Sequence, residues 1–108
     1  MMTSGAAPLS NDVHIFFEAI GIPIIEGYGL TETCAPLACN SPEDNKFKTV
    51  GKPLPGLEVK LAEDGELLVK GPTVFSGYYK NEKASKKTFQ DDWLKTGDIA
   101  QILSLIHI

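Results

Sequence analysis

Residues 22–33 read IPIIEGYGLTET: an apolar run, Ile22 to Ile25, passes through Glu26 into two glycines around a tyrosine and then alternates hydroxyls with a carboxylate. An unbroken apolar run bounded by Gly21 and Gly27 is too short for a helix and predicts a buried strand. Glycines directly beyond such a strand predict a ligand-facing turn, because without a Cβ the backbone N–H groups can approach a bound molecule. Within EGYGLTET, Tyr28 offers a flat face for a heteroaromatic ring, Thr31 and Thr33 offer hydroxyls to phosphate oxygens, and Glu32 offers a hard oxygen ligand suited to Mg2+. The set suits a nucleotide. Taken alone, the octapeptide also reads as an ordinary strand-ending turn with polar decoration.

Upstream, SNDVHIFFEAIG spaces Val13, Phe16, Phe17 and Ile20 as one apolar helical face, with Ser10 placed to cap its start, Asp12 in its first turn and Gly21 as a left-handed stop. With MMTSGAAPLS before it, the order is loop, helix, strand, loop. After Pro36 the pattern changes to short β segments divided by glycine and proline: TVGKPLPG, LEVKLAEDGELLVKG and PTVFSGYY. Leu57, Val59 and Leu61 alternate with Glu58 and Lys60, and Asp64-Gly65 offers the positive φ angles of a tight hairpin before ELLVK returns. NEKASKKTF predicts a short polar helix capped by Asn81, and WLKTGDIAQI predicts a strand, a tight turn and another strand. The expected fold is an α/β piece over about residues 1–35 followed by an antiparallel β piece over about 36–102, without internal repeats.

Composition narrows the partners. The 108 residues are 43% hydrophobic and 22% charged with net charge −4, which is ordinary for a globular domain. The lysines form no basic stripe, which argues against nucleic acid as a partner. Cys34 and Cys39 lack the further cysteine or histidine of a four-ligand zinc site. They are expected as reduced thiols of an intracellular protein, a disulfide between them being the alternative. No apolar run reaches the ~20 residues of a membrane-spanning helix and no signal core follows the N-terminus, so the expected compartment is cytoplasmic.

Two further motifs repay attention. TSGAAPLS joins small residues to a helix start, so its backbone can form a second wall for a flat ring. KTGD sets Asp98 after a glycine turn, where a carboxylate can accept both hydroxyls of a ribose. Each alone is also what a close-packed loop or a turn aspartate looks like. In order, however, TSGAAPLS, EGYGLTET, GELLVKGP and KTGDIA resemble successive core motifs of the adenylate-forming acyl-CoA synthetase superfamily, over nearly all residues from Thr3 to Ile102. FFEAIGIPIIEGYGLTET and GKPLPGLEVKLAEDGELLVKGPTVFSGYYKN are most similar to bacterial long-chain fatty-acid–CoA ligases.

The resemblance implies part of the large N-terminal AMP-binding domain of such an enzyme, over residues 1–102. By it, the backbone of Gly5, Ala6 and Ala7 lines one face of adenine and Tyr28 the other, while Gly27 and Gly29 leave room for base and acyl group. Thr31 is similar to the threonine that bonds the nucleotide phosphate, Glu32 to the Mg2+ ligand, and Asp98 to the residue that holds the ribose hydroxyls. The implied substrates are a fatty acid, ATP and coenzyme A: the carboxylate attacks the α-phosphorus of ATP to give acyl-AMP and pyrophosphate, and the coenzyme A thiolate then displaces AMP. A cation is needed to cancel like-charge repulsion between carboxylate and polyphosphate, which agrees with Glu32 as its ligand and with Thr31 as a positioning group.

The same resemblance places a lysine-ending phosphate loop ahead of Met1 and a lid with a hinge and a catalytic lysine after Ile108, so the isolated chain is expected not to be a competent ligase. LSLIHI, Leu103 to Ile108, reads as the translation of a sequencing-library adapter and is expected to be a tail foreign to the fold. A non-catalytic nucleotide-binding or interaction module, an aryl-CoA ligase and an amino-acid adenylation domain remain the alternatives. Peripheral membrane association suits an enzyme of fatty acids, although no basic amphipathic helix argues for it.

Overall fold

A computed structural model describes residues 1–103, so the tail expected over 103–108 lies outside the described residues except for the exposed Leu103. β1 (Met2–Ser4) leads through the Gly5–Ser10 loop into α1 (Asn11–Ala19), and β2 (Ile24–Leu30) returns beside β1 in parallel. A 3-10 turn at Thr31–Thr33 reverses the chain into β3 (Ala35–Cys39), which pairs antiparallel to β2 and then to β4 (Lys52–Pro53). The second sheet holds β5 (Glu58–Leu61), β6 (Glu66–Lys70), β7 (Phe89–Gln90) and β8 (Trp93–Ile99) in the antiparallel order β5-β6-β8-β7, with α2 (Glu82–Thr88) joining β6 to β7. The expected α/β piece followed by antiparallel β is therefore present, as two four-stranded sheets.

One core joins them. Leu37 of β3, Leu67 and Val69 of β6 and Leu94 of β8 are all at most 1% exposed, and Tyr28, Val59, Phe75 and Phe89 pack against them. Apolar burial of this kind is the main stabilising term. The radius of gyration, 15.0 Å, exceeds the ~13 Å of a compact chain this long, as expected for two sheets meeting along a narrow seam.

Several local expectations are corrected. The strand expected to end at Glu26 runs on through EGYGL to Leu30, because Gly27 to Leu30 pair with β3. Both β1 and β3 went unpredicted: MTS is very short, and APLAC has no alternation to mark it. PTVFSGYY forms turns rather than a strand. WLKTGDI is one strand, not two around a turn: between the pairs Leu68↔Lys95 and Glu66↔Ile99, β8 carries extra residues as a bulge, with Gly97 at φ +78°. β2 and β3 also lose register, since Tyr28 faces Ala38 while Gly29 faces Pro36, leaving Leu37 as the surplus residue.

The two ends of α1 are closed differently. Gly21 is left-handed, with its N–H donating to the Glu18 carbonyl (3.1 Å) and Ile22 N–H to that of Phe17 (2.9 Å), the paired bonds of a glycine helix stop. Ser10 stands at the N-cap position but its hydroxyl makes no capping bond; its carbonyl accepts His14 N–H. The apolar face is largely uncovered: Val13, Phe16 and Ile20 are 40%, 57% and 53% exposed, and His14 is the buried residue. The narrow β1–β2 floor covers only one edge of the helix. In the β5–β6 hairpin only Gly65, not Asp64, takes positive φ; its N–H donates to the Ala62 carbonyl, closing a longer turn. Asn81 does cap α2, accepting Ala84 N–H at 3.1 Å.

Candidate functional site

The Gly5–Leu9 loop is drawn onto β2 by a carboxylate beneath it. Glu26 accepts Leu9 N–H at 3.1 Å through Oε1, while its Oε2 lies 3.6 Å from Nδ1 of His14. His14 is 1% exposed, tilts against the Phe47 ring at 4.3 Å, and has Nε2 3.3 Å from the Asn45 amide, which also donates to the Ile24 carbonyl. Helix, strand and loop are thus tied at one buried point. Ala6 above it sits at φ +68°, a conformation that costs a non-glycine residue about 1–2 kcal/mol, and strain held in place at a cleft is typical of working sites.

Two clefts share the wall made by Ala6, Gly27, Tyr28, Gly29 and Leu30. The larger, about 690 Å³, adds Gly5 and Thr31; the other, about 550 Å³, adds Ala7, Asp98 and the Lys48–Val50 segment. The loop lies close on the strand at Gly5, where a Cβ would stand 3.3 Å from the Gly27 carbonyl oxygen, a tight contact. Of the ten residues the sequence singles out, Gly5, Ala6, Ala7, Gly27, Tyr28, Gly29, Thr31 and Asp98 line this double cleft, while Glu32 and Thr33 do not. Each cleft falls within the usual size for a small ligand.

Asp98 comes from the second sheet. The β8 bulge presents it with its N–H donating to Thr96 Oγ1 (3.2 Å) and with Gly97 N–H donating to Glu66 Oε1 (2.9 Å). Tyr28 Oη donates to Asp98 Oδ2, linking the two sheets across the cleft. Burial raises the Tyr28 phenol well above its ordinary value, and the neighbouring Asp98 carboxylate adds to the shift. The phenol therefore stays a hydrogen-bond donor throughout the neutral range.

Glu32 stands apart, in a recess of about 330 Å³ with Leu30, Tyr78, Lys87 and Thr96. Thr33, expected to face a phosphate, is fully buried: its hydroxyl accepts Leu30 N–H and donates to the Leu30 carbonyl, closing the turn. Sequence reasoning missed Glu26, Lys48, Thr49 and Tyr78. Only Glu26 carried a signal, a carboxylate at the end of an apolar strand.

Among the described residues no group of three or more His, Cys, Asp or Glu gathers to hold a metal, and Cys34 and Cys39 are both free. Glu32 as a lone carboxylate nevertheless fits Mg2+, which binds through one or two carboxylates and takes its other ligands from water and substrate phosphates.

Residues 1–79 match the family described as AMP-binding enzyme. The chain belongs to that family. Among AMP-binding enzymes, it is 48% identical over 99 residues to the long-chain-fatty-acid–CoA ligase FadD15 of Mycobacterium bovis, covering 92% of this chain and 16% of that relative. It is 42% identical over 100 residues to the 2-succinylbenzoate–CoA ligase of Listeria innocua, covering 91% of this chain and 21% of that one. The o-succinylbenzoate CoA synthetase MenE of Bacillus subtilis, solved in complex with ATP and magnesium ion, superposes with a TM-score of 0.79 at 36% identity, over 89% of this chain and 22% of that structure. The fold is thus that of part of the large N-terminal domain of an adenylate-forming acyl- or aryl-CoA ligase.

Proposed function

We propose that this chain forms the adenosine-binding face of an ATP-dependent long-chain fatty-acid–CoA ligase, which makes acyl-AMP and pyrophosphate and then passes the acyl group to coenzyme A with release of AMP. The observation that carries the nucleotide reading is the double cleft: a glycine-lined wall around Tyr28, faced by the Gly5–Ala7 loop and closed by Asp98. In this reading the flat base lies between the Gly5–Ala7 backbone and the Tyr28 ring, and Asp98 accepts the ribose hydroxyls. Thr31 bonds the α-phosphate and orients it toward the incoming carboxylate, a positioning effect. Glu32 holds Mg2+, which when bound offsets the charge of the polyphosphate.

The long-chain assignment is supported by the 48% identity to FadD15. A second reading, an aromatic carboxylate as acyl donor, is favoured by the 42% identity to a 2-succinylbenzoate–CoA ligase. Pyrophosphate release by the full-length protein, with ATP, Mg2+ and either palmitate or 2-succinylbenzoate, separates them. Turnover with palmitate is expected, turnover with 2-succinylbenzoate alone supports the second reading, and turnover with neither overturns both. The 108-residue chain alone is proposed to be inactive, and the full-length enzyme to act in the cytoplasm and peripherally at the membrane surface.

A further inference from the structure

We infer that Tyr78 is a positioning residue for the Glu32 carboxylate, and that the Phe75–Tyr78 turn is a strut by which the second sheet sets how that carboxylate meets a divalent cation. This rests on the reading of Glu32 as the Mg2+ ligand. Glu32 is gripped at both ends by one short turn far along the chain: Tyr78 Oη donates to its Oε1 at 2.8 Å, and Phe75 N–H donates to its backbone carbonyl at 2.8 Å. Among the described residues Oε2 carries no hydrogen bond.

The turn is braced in its own right. Tyr78 N–H donates to Ser85 Oγ at 2.8 Å, and that hydroxyl donates onward to the Asn81 carbonyl at 2.8 Å, so α2 fixes the tyrosine backbone. Gly77 sits at φ +151°, a conformation that side-chain-bearing residues rarely adopt, and a Cβ there would lie 2.9 Å from the Ser85 Oγ that Tyr78 N–H uses. The Phe75 ring meets Tyr78 edge-on at 4.9 Å and stacks on Phe89 at 5.9 Å, anchoring the strut in the core.

The terminal torsion of a glutamate is broad, so an unaided Glu32 would swivel. Mg2+ tolerates little departure from octahedral geometry, and partners outside the coordination sphere set the orientation of the groups within it. With Oε1 engaged by the phenol, Oε2 is the oxygen presented to the cation, and bidentate binding is disfavoured. PTVFSGYY thereby acquires a purpose that neither its turns nor its apolar residues explain.

Tyr78→Phe removes one hydroxyl and keeps the ring contact. In the full-length protein with ATP present, Mn2+ binding followed by electron paramagnetic resonance is expected to weaken about three- to tenfold, the range for loss of one exposed hydrogen bond. The Mg2+ concentration for half-maximal pyrophosphate release should rise in parallel. The melting temperature, and kcat at saturating Mg2+, should stay at wild-type values. Glu32→Gln serves as the reference. Unchanged cation affinity in Tyr78→Phe with loss in Glu32→Gln overturns the inference alone; unchanged affinity in both overturns the metal reading of Glu32 and the inference with it. A drop in melting temperature with every constant moving together assigns Tyr78 a merely structural role and also overturns it.

Discussion

Replacing Asp98 by alanine tests the site at an exposed polar contact that joins the two sheets. The carboxylate stands free of the strand ladder on the β8 bulge and already accepts the Tyr28 phenol. In the proposed nucleoside placement two ribose hydroxyls donate to it as charge-assisted bonds, and because Asp98 is exposed the lower end of their range applies, about 1.5 kcal/mol each. Their joint loss of about 3 kcal/mol corresponds to a roughly 150-fold weakening of ATP. The sharper readout is comparative. Wild-type full-length protein should bind 2′-deoxy-ATP or 3′-deoxy-ATP about tenfold more weakly than ATP, one bond each, whereas Asp98→Ala should bind all three alike. Isothermal titration of the three nucleotides gives the ratios. If Asp98→Ala still discriminates between ribose and its deoxy analogues, the carboxylate does not hold the sugar and the placement of the nucleoside in this cleft is wrong.

The raised Tyr28 phenol makes a statement about pH. The folded state holds that proton more tightly than the unfolded chain, so stability is fully present below pH 10.0 and falls as the pH rises above it; Tyr28→Phe should flatten this alkaline limb in urea melts at stepped pH. Gly51→Ala should abolish folding: at φ +86° its Cβ would lie 2.1 Å from the Cys39 carbonyl carbon and 2.2 Å from Asn40 N, backbone that cannot swing aside. A loss beyond about 4 kcal/mol is expected there, read as absence of a cooperative thermal transition. Asn81→Ala removes the cap of α2 and should cost about 1 kcal/mol, measured by denaturant midpoint.

Much of this was legible in the residues, and the failures share a cause. Helix α1 declared its span through period and a terminal glycine, the β5–β6 hairpin through alternation, and α2 through Asn81. What local pattern cannot report is pairing between distant segments. EGYGL became strand because APLAC lies beside it, and Gly97, which alone signals a turn, sits in a bulge because β6 runs alongside. The face of α1 was read correctly as apolar but not as exposed, since periodicity gives a stripe without saying how wide a floor meets it. At the site, the individual residues were named from their motifs, while their mutual contacts were not. Tyr28 reaching Asp98 and Tyr78 reaching Glu32 span 70 and 46 positions, and no spacing rule foretells them.

The two places where the ladders lose register, at Leu37 and within Thr96 to Asp98, give the cleft a kind of slack. Surplus length is stored locally there, beside pairs such as Leu68↔Lys95 that stay in step. Shortening or lengthening the 96–98 segment would move the Asp98 carboxylate while Leu94 kept its seat between the sheets. If the cleft holds a nucleoside as proposed, that segment is the adjustable joint for retuning it, and the neighbouring strands are the frame to leave alone.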